Sequence, residues 1–298
     1  MSMKFCLFLG CNMPAIRPDV ELAIRLSLQT LGVEVLDVEG ASCCPAFGTF
    51  PSVDEDATLA INAWNLANAE KKGADIVVQC GSCYSVLKLG RYKLIHGKLE
   101  EINRKYLSKV GLRYEGRTDV RHILDVLHNV IGLEKIRASL KYSLNGMKVL
   151  FQYPCHVLRP SKKVGFDDPE NPVVFRNLLR ALGAEVPRYS REMQCCGGAG
   201  GFAKHDKISN LQFLKKKLDA MKDEVDPDCI AVSCITCLMH MSNAQAEMKK
   251  LGMIDYEIPV FDFSQLLAIC QGHDPKRVAK LAMPSSEVVI GKILRNRI

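Results

Sequence analysis

The strongest constraint in this sequence is one arrangement of cysteines that occurs twice. A single cysteine is followed by an adjacent pair and then by a Cys-x-x-Cys unit. The members of the first copy are Cys11, Cys43, Cys44, Cys80 and Cys83, and those of the second are Cys155, Cys195, Cys196, Cys234 and Cys237. The second copy begins 144 residues after the first. An internal repeat of this kind indicates two structural units built on one plan.

Hydrophobic patterning places these cysteines after strands. We predict strands at residues 4–10, 33–38, 75–79, 148–153, 184–186, 229–233 and 258–261. Alternating with them we predict helices at 18–31, 54–72, 83–109, 122–130, 134–142, 173–182 and 207–222, one opening at Cys234, one at 264–269 capped by Ser264, and a helical tail from Pro275. Strands that alternate with helices predict an α/β fold with parallel sheets.

The repeat predicts how the halves are arranged. We expect two pseudo-repeated α/β halves, each a small parallel sheet covered by helices. Ligand sites in such sheets lie at the carboxyl ends of the strands, so we expect cluster sites there, between the halves. The predicted domains are 1–145, which includes a helical connector at 111–145, and 146–298.

Composition excludes several classes of protein. The net charge of +7 suits an acidic partner or substrate, but it does not by itself indicate nucleic acid, because the sequence has no run of five or more basic residues. No segment approaches the ~18 apolar residues of a membrane span. The apolar stretch at the N-terminus is too short for a secretory signal, so we expect a reducing, cytoplasmic setting. Clustered cysteines are usually metal or redox sites there rather than disulfides.

Three cysteines have no partner in the repeat. Cys6 and Cys229 occupy ordinary strand positions, and Cys270 lies on an apolar helix face. Free cysteine is among the most buried residue types, so we predict that these three belong to the core.

Each half offers five cysteines of the repeat, one more than a tetrahedral zinc ion needs. A cubane [4Fe–4S] cluster also takes four. Five thiols that include an adjacent pair therefore favour a polynuclear iron–sulfur cluster of unusual shape, with zinc left as the alternative. The glycines after the second pair, Gly197, Gly198, Gly200 and Gly201, suggest close approach of the backbone to a bulky cofactor. They form only a weak dinucleotide motif.

These motifs resemble the cysteine-rich two-domain (CCG) family, and within it most closely the B subunits of heterodisulfide reductases of methanogens. The resemblance is carried by residues 8–14, 39–45, 80–84, 153–160, 195–201, 234–237 and 264–267. It departs at Leu238, where relatives often have histidine, and at Gly81-Ser82 inside the first Cys-x-x-Cys unit.

The resemblance implies two non-cubane [4Fe–4S] clusters, each held by the five cysteines of one copy. It implies reductive cleavage of the coenzyme M–coenzyme B disulfide, a reaction of methanogenesis energy metabolism. The implied partners are an iron–sulfur C subunit and a flavin-containing A subunit that performs electron bifurcation, with a hydrogenase or formate dehydrogenase upstream. The acidic groups of both coenzymes match the positive net charge.

Other residues are assigned by their positions beside the cysteines. His156 is the candidate proton donor, or it hydrogen-bonds a cluster sulfide or the backbone. Arg159, Lys204 and His205 are candidates for binding the substrate anions, with solvated surface charges as the alternative. Trp64 is interpreted as a core residue or as a contact with another protein of a complex.

Two other functions stay open at this point. One is a non-catalytic iron–sulfur subunit that carries electrons for a 2-hydroxyacid or quinone-linked oxidoreductase. The other is a zinc-stabilised scaffold without catalysis, against which the two complete cysteine copies and the glycine loop argue.

Overall fold

The computed structural model describes residues 3–48, 50–283 and 285–298. In the first half the strands are β1 (Met3–Phe8), β2 (Val33–Asp37), β3 (Asp75–Val78) and β4 (Val120–His122). The helices there are α1 (Asn12–Ile16), α2 (Pro18–Thr30), α3 (Phe50–Val53), α4 (Glu55–Lys71), α5 (Gly81–Lys93), α6 (Leu99–Lys105), α7 (Ile123–Asp125) and α8 (Leu133–Ala138). π-helical turns occupy Leu94–Lys98 and Val126–Ile131, and a 3-10 turn occupies Leu107–Val110.

The second half repeats this plan. Its strands are β5 (Val149–Gln152), β6 (Cys229–Val232) and β7 (Val260–Asp262). Its helices are α9 (Cys155–Leu158), α10 (Ser161–Val164), α11 (Val174–Ala181), α12 (Phe202–His205), α13 (Lys207–Glu224), α14 (Ile235–Lys250), α15 (Phe263–Cys270), α16 (Pro275–Val278) and α17 (Ser286–Arg295). None of the helices among the described residues is long and apolar enough to cross a membrane.

Both sheets are parallel, and the three strands of the second sheet follow the same order as β1, β3 and β4 of the first. The first has the order β2-β1-β3-β4 and the second the order β5-β6-β7. Beside β5, a single parallel bridge joins Lys148 to Glu185, at the place that β2 takes in the first sheet. All four residues of β6 are buried, as expected for a parallel sheet covered by helices on both faces. The predicted α/β fold with two helix-covered parallel sheets is confirmed.

Several element boundaries differ from the predictions. The strand predicted at 184–186 is only the bridge at Glu185. The helix predicted at 264–269 is capped by Asp262, not by Ser264, because the Asp262 carboxylate and the Gln265 amide form a reciprocal capping box. The helix predicted at 83–109 starts earlier, at Gly81, and bends at Gly97, whose φ of +124° is outside the helical range.

The segment predicted as a helical connector, 111–145, also contains a strand. β4 pairs with β3 through Val120 and His122, and it covers an edge that would otherwise expose unpaired backbone groups. The prediction that His122 begins a helix is therefore wrong, since His122 ends β4 and caps α7. The domain boundary at 145 stays a prediction.

Helices of each half pack against helices of the other half. α15 and α16 of the second half pack on α2 of the first, while α7 and α8 of the first half pack on α11 of the second. Cys6, Cys229 and Cys270 are completely buried in the core, as predicted. Trp64 packs partly buried against the core, and its indole donates a hydrogen bond to the Gly40 carbonyl. This helix packing fixes the strand ends of one sheet relative to those of the other.

Candidate metal centre between the halves

Four of the repeated cysteines lie just beyond the carboxyl ends of strands and at the starts of helices. Cys80 follows β3 and is the residue before α5, and Cys234 follows β6 and is the residue before α14. Cys11 precedes α1, and Cys155 is the first residue of α9. Helix starts present unpaired backbone amides and a positive end of the helix dipole, which favour sulfur in its thiolate form.

In the first half, the five thiols form one group. The Cys43 thiol interacts with those of Cys11 and Cys44, and the Cys83 thiol interacts with those of Cys44 and Cys80. Gly10 lets the chain pass close to this group. Its φ is +68°, and a Cβ atom there would lie 3.1 Å from the Cys83 sulfur.

In the second half, the sulfurs lie in close pairs. The Sγ atoms of Cys155 and Cys195 are 3.7 Å apart, and those of Cys196 and Cys237 are 3.3 Å apart. The side chain of Cys234 interacts with that of Cys237. All of these cysteines are free thiols. Within residues 3–48, 50–283 and 285–298, no three His, Cys, Asp or Glu side chains are grouped as ligands of one metal ion.

The two cysteine groups meet across the contact between the halves. The Sγ atoms of Cys80 and Cys234 are 3.9 Å apart. Gly81 makes this possible, because a Cβ atom there would lie 3.0 Å from Cβ of Pro154 and 3.7 Å from the Cys234 sulfur. The cysteines of both halves therefore belong to one continuous site.

Gln79 ties the Cys80 turn to the second half. Its side-chain amide donates to the Asp262 carboxylate, and its Oε1 accepts from the Ile235 amide at 3.1 Å. His122 contacts the Gln79 carbonyl at 2.9 Å through Nε2. The side chains of Gln79, His122 and Asp262 are completely buried. These bonds fix the register of the Cys80 and Cys234 turns relative to each other.

In each half, hydrogen bonds lower the pKa of one thiol. A hydrogen bond from Cys155 is the main reason that the pKa of Cys195 lies far below its usual value, and the Gly197 amide also donates to this sulfur at 3.3 Å. Hydrogen bonds with Cys234 and Cys83 likewise lower the pKa of Cys80. Thiolate is the form of cysteine that binds metals.

The donor set fits an iron–sulfur group. Pairwise contacts link the five thiols of each half, and the amides of Gly197 and Gly198 donate to the sulfurs of Cys195 and Cys196 at 3.3 and 3.4 Å. Iron–sulfur clusters are held by thiolates and tuned by such hydrogen bonds to sulfur. The ligand assignment of the ten cysteines stays a prediction.

The predicted glycines line the second group unevenly. Gly198 lies against α14, near His240 and Thr236, and Gly197 lies against Asn210 and Phe213 of α13. Gly200 approaches Gly48 of the first half, where a Cβ atom on Gly48 would lie 3.9 Å from the Gly200 Cα atom. Gly201 is the residue before α12 and has an open neighbourhood. Of these four glycines, only Gly197 and Gly198 are closely packed, and they hold the cysteine loop against α13 and α14.

The Gly198 contact provides a test of this packing. A Cβ atom at 198 would lie 2.8 Å from Cβ of His240, so we expect Gly198→Ala to push the cysteine loop from α14 and to destabilise the protein by about 1–3 kcal/mol. Iron content and the thermal midpoint should both fall. Gly291→Ala is the matched control, because no atom lies within 4 Å of its added Cβ. Equal iron content and melting in the two variants would contradict this account.

His156 lies at the mouth of the site. Its ring packs on Phe47 of the first half, with ring centroids 3.7 Å apart. Burial is the main reason that the pKa of His156 is lowered, and interactions with Cys195 and Cys80 oppose this effect. The contact with Phe47 had no signal in the sequence, because the two residues belong to different halves.

The three predicted anion-binding residues lie on the surface. Arg159 is exposed and pairs with Glu170 at 2.7 Å. Lys204 and His205 are exposed on the short helix α12. The described contacts join none of these side chains to the cysteines, so their role in binding an anion stays a prediction.

Lys217 is a residue of the site that the sequence analysis missed. It is completely buried on α13, and its ammonium donates to the carbonyls of Glu192 and Gln194, at 3.0 and 2.7 Å. Gln194 directly precedes Cys195. The sequence did contain a signal. Because α13 matches α4 in the repeat, the buried face of α13 could be recognised, and a lysine on such a face is unusual.

Comparisons with known proteins agree with this arrangement. Residues 5–88 and 149–242 each match the family described as CCG, cysteine-rich domain. A protein of Archaeoglobus profundus, named as resembling the B subunit of heterodisulfide reductase, is 41% identical over 99% of both chains. The B subunit of the ferredoxin/F(420)H(2)-dependent CoB-CoM heterodisulfide reductase of Methanosarcina acetivorans is 35% identical over 91% of this chain and 90% of its own.

Two more distant proteins are also similar to this chain. The "8-methylmenaquinol:fumarate reductase membrane anchor subunit" of Wolinella succinogenes is 29% identical over 93% of this chain and 95% of its own. The crystal structure of a hypothetical protein from Helicobacter pylori superposes with a TM-score of 0.71 at 14% identity, over 93% of this chain and 51% of that one, and it supports the fold alone. Together the relatives support the role of an oxidoreductase subunit.

Proposed function

The chain belongs to the CCG cysteine-rich domain family, and on that premise we propose that it is the catalytic subunit of a heterodisulfide reductase. The proposed substrate is the coenzyme M–coenzyme B disulfide, and the proposed cofactors are two non-cubane [4Fe–4S] clusters. The cysteines that would hold them are the five of each copy.

One observation carries this proposal: the two cysteine groups face each other, with the sulfurs of Cys80 and Cys234 3.9 Å apart. Cleavage of a disulfide to two thiols consumes two electrons and two protons. Iron–sulfur clusters supply electrons one at a time, so a pair of sites around a single bond is suited to this reaction.

The residues around the cysteines would bind the substrate and keep water out. Phe47 and His156 close one side of the site from opposite halves, and Pro154 packs against Gly81 beneath it. His156 directly follows Cys155 in the sequence, and we propose it as the proton donor to a leaving thiolate. Exposed basic residues on α12, Lys204 and His205, would attract the acidic ends of the two coenzymes.

The proposed partners are an iron–sulfur C subunit, a flavin-containing A subunit and an upstream hydrogenase or formate dehydrogenase. Cys11 and Cys43 are exposed, so the first cysteine group lies where a partner protein could approach within electron-transfer distance. A cytoplasmic location and a place in methanogenesis, with electron bifurcation in the flavin-containing partner, stay parts of this proposal.

The second candidate function is a non-catalytic iron–sulfur subunit of a quinone-linked or 2-hydroxyacid oxidoreductase. The similarity to the menaquinol:fumarate reductase protein supports this function. Both candidate functions require clusters, so metal analysis alone does not separate them.

An anaerobic assay separates the two functions. Reduced viologen would serve as donor and the coenzyme M–coenzyme B disulfide as acceptor, with iron and sulfide measured on the same sample. We expect two viologens to be oxidised and two thiols released for each disulfide. A protein that holds its clusters but leaves the disulfide intact, while a quinone or 2-hydroxyacid couple exchanges electrons with it, would support the second function.

A further inference from the structure

The two cysteine groups differ in one buried charge, that of Lys217. The Lys217 ammonium lies behind the Cys195-Cys196 loop, bound to the carbonyls of Glu192 and Gln194. It also lies over the Tyr189 ring, 5.6 Å from the centroid. It is entirely shielded from water.

No carboxylate forms an ion pair with this ammonium within the described part of the chain. The acidic side chain that acts on it, Glu192, is already paired with Arg176 at 2.5 Å, and both members of that pair are buried. A buried ammonium without a counter-charge is very unfavourable. Something else must supply negative charge at this place.

The thiols of the second group are the available counter-charge. Burial lowers the pKa of Lys217 to about 8, and the interactions that oppose this shift come first from Cys196 and then from Cys237 and Cys195. The Lys217 Nζ atom donates to two carbonyl oxygens and lies over an aromatic face, and both contacts favour the charged ammonium. The positive charge is therefore present and acts on the sulfurs of the second group.

The first half has a neutral side chain at the equivalent place. Asp54 and Asp206 are the residues that cap α4 and α13, and they are 152 residues apart. The same spacing puts Asn65 opposite Lys217. The Asn65 oxygen accepts a hydrogen bond from the Ser42 amide at 2.8 Å, directly before Cys43. Both residues hold the start of a Cys-Cys loop, but only Lys217 carries charge.

The two cysteine groups also differ in their exposure to water, and this difference adds to that of the buried charge. Cys11 and Cys43 are exposed, whereas Cys155 and Cys195 are half-buried. Water screens charge around the first group, and the low dielectric around the second strengthens the effect of Lys217.

We propose that the buried charge of Lys217 raises the reduction potential of the second site above that of the first. This inference rests on the proposed function only in assuming one iron–sulfur cluster in each half. An added electron makes a site more negative, so a nearby fixed cation stabilises the reduced form. An electron that enters at the exposed first site then moves on to the second.

The test is an anaerobic redox titration that is monitored by electron paramagnetic resonance and contains no disulfide substrate. It compares the variants Lys217→Met and Lys217→Gln with the control Lys216→Met. Lys216 is the exposed neighbour on α13, and its replacement changes the net charge equally. Cys11→Ser protein, which lacks a first-site ligand, identifies the second-site signal. We expect both Lys217 variants to lower the reduction potential of the second site by at least ~59 mV. For one electron, this shift is a tenfold change in the equilibrium constant between the oxidised and reduced forms. The first-site potential and both potentials of Lys216→Met should be unchanged.

Unchanged second-site potentials in the Lys217 variants would overturn the proposal. So would a wild-type protein whose second site is harder to reduce than the first, and this measurement needs no variant at position 217. Lys217→Gln retains a side-chain hydrogen-bond donor without the charge and Lys217→Met retains neither, so a shift shared by the two variants reports charge rather than loop position. Failure of the proposed function would appear separately, as missing clusters or an uncleaved disulfide in wild-type protein.

Discussion

Cys155→Ser is expected to lower iron and acid-labile sulfide to about half of the wild-type content, because a cluster needs its thiolate ligands. The Cys155 sulfur lies 3.7 Å from that of Cys195, and serine has nearly the same size, so the change removes chemistry rather than volume. Disulfide cleavage should fall by more than the ~10–100-fold that the loss of a group outside the ligand set causes. Anaerobic iron and sulfide analysis and the viologen assay measure both effects.

Cys229→Ala is the matched control for this variant. Cys229 is buried in β6 of the same half, has no partner in the repeat and pairs with Val149 across the sheet. The iron content and activity of this control should equal those of the wild type. If both variants keep all their iron, Cys155 is not a ligand and the proposed second site fails.

Glu192→Ala is expected to destabilise the folded protein by about 3–5 kcal/mol, because it leaves Arg176 buried and unpaired. The side chains of Arg176 and Glu192 are only 5% and 10% exposed, and their ion pair spans 2.5 Å. Arg176 also donates to the Val186 carbonyl, so the pair anchors the segment that leads to Cys195. Equilibrium unfolding in urea measures the loss, and iron content should fall with it.

Two comparisons make this result specific. Glu170→Ala removes a similar ion pair with Arg159, but those side chains are 80% and 61% exposed, so the cost should stay below about 1 kcal/mol. Replacing Arg176 and Glu192 together by Met and Leu removes both charges and should restore most of the stability. A double variant as unstable as Glu192→Ala would show that the lost charge balance is not the cause.

The repeat allowed the sequence to predict much of the fold. Strands 75–79 and 229–233 were recognised because each is a short apolar segment that ends at a Cys-x-x-Cys unit, and both lie in parallel sheets. β4 was missed, since its three residues carry too little pattern to distinguish a strand from the start of α7. The cap of α15 was misassigned to Ser264 because Asp262 and Ser264 are both good capping residues, and only the position of Gln265 decides between them.

The candidate site was predictable as a set of residues but not as a geometry. The spacing singled out ten cysteines, and of these Cys80 and Cys234 follow β3 and β6 as predicted. No local pattern could show that Phe47 packs on His156 or that Gln79 reaches Asp262, because each contact joins residues more than 100 positions apart. Arg159 was chosen for its nearness to Cys155 along the chain, but its side chain turns outward to Glu170.

The amino-acid sequence alone defined the candidate chemistry of this protein, which is two sets of five cysteines in one repeated pattern among predicted strands and helices. Local sequence can do this because strand ends and cysteine spacing depend on neighbouring residues. The tertiary structure alone decided that the sets face each other through Cys80 and Cys234, and that one set has the buried charge of Lys217 behind it. Those features arise from packing between distant segments, where burial and the loss of water set the strength of every charge.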